Sequence, residues 1–88
     1  MPDLVIPPQF KKVLSKKPAA LQAAVLECVH RLGENPRHPS LKTHPVRGVR
    51  GVFEAYVDMA NRVTFEWDGD TIVLRNNCNH SIIDRRNV

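Results

Sequence analysis

Cysteine is scarce in this chain: Cys28 and Cys78 are the only two among 88 residues. Two cysteines so far apart in sequence do not make a disulfide framework. Cys28 falls on an apolar helical stripe, where it reads as a small buried hydrophobe. Long apolar runs are missing as well, and none approaches the roughly 18 residues a membrane span needs. No positively charged, apolar, small-residue leader is visible. Repeats and low-complexity segments are also absent. Together these absences point to a reduced, cytoplasmic protein with no membrane association.

What is there fits one domain spanning residues 1–88, with a small core. A site on so short a chain has to be built on its sheet or at the sheet's immediate ends. Thirteen Lys and Arg against nine Asp and Glu give a formal charge of +4. That balance favours an anionic partner such as nucleic acid, although many small proteins carry it for solubility alone.

Leu4, Val5 and Ile6 suit a short strand, which Pro7 and Pro8 stop before opening a helix. Phe10, Val13 and Leu14 fall at helical spacing up to Ser15-Lys16-Lys17-Pro18. Leu21, Ala24, Val25, Cys28, Val29 and Leu32 then form one apolar stripe, and Gly33, Asn35 and Pro36 end that second helix. The pair reads as a helical hairpin. A connector rich in Pro and His follows, carrying Lys42, His44, Arg47 and Arg50. Beyond it the period changes to two. Phe53, Ala55 and Val57 share one face of a strand, and Val63, Phe65 and Trp67 share one face of the next. Asp68-Gly69 signals a hairpin turn into a third strand, Thr71 to Asn76. The expected fold class is α+β, with the helical hairpin covering one face of a small antiparallel sheet. The other face is left to solvent with Glu54, Tyr56, Arg62 and Arg75 on it.

Three pieces in this order carry a resemblance. They are Leu41-Lys42-Thr43-His44-Pro45-Val46-Arg47-Gly48, then Arg62-Val63-Thr64-Phe65, then Leu74 through His80. The chain resembles the RelE/ParE superfamily of toxin–antitoxin toxins, nearest to the RelE-like branch that includes YafQ-, YoeB- and HigB-like toxins. The resemblance implies a RelE-like α+β fold, a cognate antitoxin and metal-independent cutting of mRNA on the ribosome. It also implies contacts with ribosomal RNA, and no cofactor. A ParE-like gyrase inhibitor, or a RelE-fold binding protein without activity, is the alternative.

Such cutting uses the ribose 2′-hydroxyl to attack the adjacent phosphorus. It needs a base, an acid and cations for the phosphoryl oxygens. Histidine suits either proton role and arginine the third. His80, just past the last strand, is the first choice for acid or base, with a polar turn as its bland reading. His44 matches the connector histidine of YafQ-like toxins and is either the second proton handler or a connector strut. Arg62 matches the family's strand arginine as a phosphate clamp, with a solvated partner of Glu54 as the other reading. Glu54 is a further candidate base, as a carboxylate is in YoeB-like toxins. Tyr56 is expected to stack on a nucleobase. Lys42, Arg47, Arg50, Arg75 and Arg85 are expected on RNA phosphates, or else as ordinary surface charge. The chain departs from the family at two points. Asp58-Met59-Ala60-Asn61 stands where YafQ-like toxins carry Asp-Trp, and Ser81-Ile82-Ile83-Asp84 follows the histidine where YoeB-like chains place an aromatic. Cys78 and His80 offer two metal ligands where a closed zinc site takes about four, so no metal is expected.

Overall fold

A computed structural model describes residues 2–83, 87 and 88. Strand β1 (Asp3–Val5) leads into helix α1 (Pro8–Ser15), and helix α2 (Ala19–Glu34) follows. After a single 3-10 turn at Pro39–Leu41 come β2 (His44–Pro45), β3 (Val52–Tyr56), β4 (Asn61–Asp68) and β5 (Thr71–Asn79). A second 3-10 turn, His80–Ile82, follows β5. The five strands form one sheet in the order β1-β5-β4-β3-β2.

The expected α+β layering holds, with both helices burying their stripes against one sheet face. Phe10 and Leu14 from α1 meet Val25, Cys28, Val29 and Leu32 from α2, over Val63, Phe65, Ile72 and Leu74. Full burial of a side chain such as Leu32 or Phe65 is worth about 1.5–3 kcal/mol. Cys28 belongs to this core, as its place on the stripe implied. Burial pushes its thiol up to about 12, with the Arg31 charge pulling the other way.

Two features differ from the sequence expectation, and the helix end between them does not. The sheet is not wholly antiparallel: β1 pairs with β5 in parallel, Leu4 opposite Ile72. The chain leaves β1 through the two helices, and a crossover of that length is what a parallel pair requires. The second helix ends where Gly33, Asn35 and Pro36 were expected to end it, at Glu34 with Asn35 as its C-cap, and a side chain at Gly33 would approach Leu4 of β1. The last strand does not stop at Asn76 but continues to Asn79.

A bulge explains that extension. Thr64 faces Asn76 and Phe65 faces Leu74, so Arg75 is an extra residue on β5. Thr64 Oγ1 accepts from the Asn76 amide at 3.0 Å. The inserted residue resets the alternation, so Asn77 points to the helices and is fully buried. Its Nδ2 donates to the Phe10 carbonyl of α1 at 3.2 Å.

Candidate active site on the open sheet face

Period two puts Glu54 and Tyr56 of β3 on the face away from the helices, with Arg62 and Thr64 beside them on β4. The register makes the neighbours definite: Tyr56 lies opposite Arg62, and Glu54 lies opposite both Thr64 and His44. His44 reaches this row because the connector forms a two-residue edge strand, β2, against β3.

Glu54 is the hub. Its Oε1 lies 3.0 Å from His44 Nε2 and 3.8 Å from Arg62 Nε. The His44 side chain is 55% exposed, whereas those of Glu54 and Arg62 are 14% and 16% exposed. A molecule arriving from solvent therefore meets His44 before Glu54. The second ring nitrogen, Nδ1, lies 2.7 Å from the carbonyl oxygen of Lys42. Both imidazole nitrogens thus face oxygen atoms. Lys42 holds its carbonyl in place from the left-handed region, φ +47°.

Arg62 is fixed from two directions. Its Nη1 donates to the carbonyls of Asp58 and, at 2.9 Å, Asn61. Its guanidinium carbon sits 4.8 Å from the centre of the Tyr56 ring, and Lys42 Nζ sits 4.7 Å from that same centre. Tyr56 therefore gathers two cations through its π-face. Among the described residues no partner faces Arg62 Nη2, the edge left for an anion.

The turn that grips Arg62 is shaped by Asp58, a residue whose role the sequence did not disclose. Its Oδ1 accepts from the amides of Ala60 and Asn61 at 2.9 and 2.8 Å, and from Asn61 Nδ2 at 3.0 Å. Slight desolvation opposes ionisation here. The hydrogen bonds from Asn61 and Ala60, with the charge of Arg62, outweigh it and hold the carboxyl below its usual range. Asp and Asn three apart in a tight strand link are the signal that marks such a turn.

The other expected site residues are placed as follows. His80 opens the 3-10 turn after β5, is exposed, and donates its amide to Ala60 at the Arg62 end of the sheet. It follows Cys78, the residue opposite Arg62, by two positions, about 7 Å along a strand. Among the described residues no contact joins its side chain to the cluster, whereas His44 reaches Glu54 directly. Arg75 is on the open face but is drawn to Glu66 at 3.3 Å and to the Val88 carbonyl at 3.2 Å, away from Arg62. Arg47 and Arg50 are exposed between β2 and β3. Arg85 lies outside the described residues.

No family model matches this chain, and no curated protein does. Solved structures do. The RelBE2 toxin–antitoxin complex of Mycobacterium tuberculosis matches with a TM-score of 0.73 and 22% identity, over 91% of this chain and 100% of that one. The fold is that of the RelE/ParE toxins. A YoeB/ParE toxin from Agrobacterium tumefaciens gives a TM-score of 0.70 at 13% identity, over 89% of this chain and 98% of that one. YafQ from E. coli gives 0.69 at 16% identity, over 92% and 96%. The RelE/ParE fold thus extends over nearly all of this chain. Names from both branches appear among the matches, so the side chains, not the fold, separate a nuclease from a gyrase inhibitor.

Proposed function

We propose that this chain is the toxin of a type II toxin–antitoxin pair and a metal-independent endoribonuclease that cuts mRNA on the ribosome. The observation that carries this reading is the row His44–Glu54–Arg62, with Tyr56 and Lys42 beside it. One half-exposed imidazole, one shielded carboxylate and two cations around a ring meet the needs of 2′-hydroxyl attack on a phosphodiester. Arg62, locked by the Asp58–Asn61 turn and by Tyr56, receives the phosphoryl oxygens through its open edge. Lys42 adds a second charge.

His44 and His80 share the two proton transfers, one taking the 2′-hydroxyl proton and the other protonating the departing 5′-oxygen. Glu54 is shielded and already accepts from His44, so it orients that imidazole rather than acting as the base. The Lys42 carbonyl at Nδ1 fixes the ring from the other side, so Nε2, beside Glu54, is the nitrogen that exchanges a proton with the substrate. A cognate antitoxin is the expected partner, since relatives of the same fold are found in complexes named for such pairs, RelBE2 and DinJ–YafQ. The net charge of +4 suits both an acidic antitoxin segment and RNA.

Primer extension on a message in a translating extract tests the proposal. Added protein should produce cuts within codons, and Arg62→Ala should abolish them. An uncut message together with accumulating gyrase–DNA complexes would replace this reading with the ParE-like one.

A further inference from the structure

A second concavity lies at the corner of the sheet where β3 begins and β4 ends. It is a cleft of about 580 Å³, inside the roughly 300–1,000 Å³ usual for ligand pockets. Phe53 and Trp67 are the aromatic surface it presents, backed by the fully buried Phe65. Phe53 and Phe65 stack with centres 5.8 Å apart, and Trp67 meets Phe65 edge-on at 6.3 Å. Trp67 is 42% exposed, although it belongs to the strand face that elsewhere packs under the helices. The opposite wall is the connector, which contributes Arg37 and Lys42. Among the described lining residues there is no carboxylate.

That wall is preformed. Arg31 of α2 donates to Ser40 Oγ at 3.1 Å, and the Ser40 amide donates to His38 Nδ1 at 3.1 Å. The main-chain amide of Arg37 is held by Asn35 Oδ1, while its guanidinium makes no hydrogen bond or ion pair among the described residues. Lys42 and His44 line the cleft and also belong to the cluster on the other face, so the two sites adjoin around the edge strand β2.

We propose that this cleft receives one unstacked nucleobase of single-stranded RNA, stacked on Trp67, with the phosphate of that nucleotide on Arg37. Aromatic planes with a free cation and no acid match a base joined to a phosphate, and base stacking tolerates any sequence. Tyr56 already carries two cations, so Trp67 is the aromatic better placed to take a base. The choice of RNA as the source rests on the nuclease reading of the adjoining cluster, whereas the stacking site stands on the cleft alone.

Trp67 is the only tryptophan, so its fluorescence reports on the cleft directly. Titration of the full chain with adenosine 5′-monophosphate should quench it saturably. Arg37→Ala should weaken that binding about five-fold, the upper end of what an exposed charge pair contributes. Lys11→Ala, which removes an equal charge on α1, should not. In the cutting assay Trp67→Leu, with its fold checked by circular dichroism, should raise the RNA concentration for half-maximal rate and leave the maximal rate unchanged. Quenching by the nucleotide without any RNA cutting upholds the cleft and removes the nuclease reading. RNA cutting with tryptophan emission unaltered by the nucleotide overturns the cleft. Quenching by a polyglutamate peptide but not by the nucleotide also overturns it, and makes the cleft a protein-docking groove.

Discussion

At the scale of single residues, the site depends on how its charges are held. Arg62 commits Nη1 to turn carbonyls and turns Nε toward Glu54, with Nη2 left over among the described residues, a fork that a point charge on a flexible stem cannot reproduce. Arg62→Lys is therefore expected to lower the cutting rate roughly a hundred-fold or more, with little change in the denaturation midpoint. Tyr56 makes the complementary case. Tyr56→Phe keeps the π-face beneath Lys42 and Arg62 and should retain most activity. Tyr56→Ala should lose about ten-fold, on the order of the 1–2 kcal/mol available from two such contacts. Glu54, Tyr56 and Arg62 were legible in the sequence because a period of two is a geometric statement about which side chains share a face. His44 could only be proposed from the family resemblance. A two-residue strand leaves no period to read, and its contact with Glu54 depends on a pairing of residues ten positions apart.

Among the elements, the helices were legible and the ends of the last strand were not. The stripe from Leu21 to Leu32 fixed α2 because its burial needs only one apolar face. The β5 bulge has no such signature, since Asn76 and Asn77 look alike in sequence while one lies half-buried on the face away from the helices, donating to the Asn87 carbonyl, and the other faces α1. Asn77→Ala should destabilise the fold by about 1–3 kcal/mol in urea denaturation, through a lost buried hydrogen bond and the space it leaves. The β4–β5 hairpin was announced by Asp68-Gly69. In the structure the two turn residues are Gly69 and Asp70, one position on from that signal, and of the two only Gly69 is left-handed, φ +59°, the pattern of a type II′ turn. Gly69→Ala should cost about 1–2 kcal/mol by the same measurement. The parallel placement of β1 was not legible, because three residues carry no information about which strand they join.

For the molecule as a whole, charge links stability to pH. The Asp58 carboxyl is held below its ordinary value of 3.8 in the folded state. Its contribution is thus present at neutral pH and is lost as pH falls through the folded value. The stability gap between wild type and Asp58→Asn should be small at pH 7, since the group is exposed, and should close on acidification. A gap that widened at low pH would reverse the sign and the explanation with it. On the same scale, the RelE/ParE fold supplies a sheet with one face covered and one open, and the polar row on the open face is where the chemistry is assigned. The chemistry of the cut ends tests that assignment most directly. RNA fragments made by the wild-type protein should carry a 5′-hydroxyl downstream and a 2′,3′-cyclic or 3′-phosphate upstream. A single 2′-deoxy nucleotide at the cut position should block cutting there, and His44→Ala should suppress it throughout. A 5′-phosphate on the downstream fragment, or undiminished cutting beside the 2′-deoxy nucleotide, would contradict 2′-hydroxyl attack at the His44–Glu54–Arg62 row.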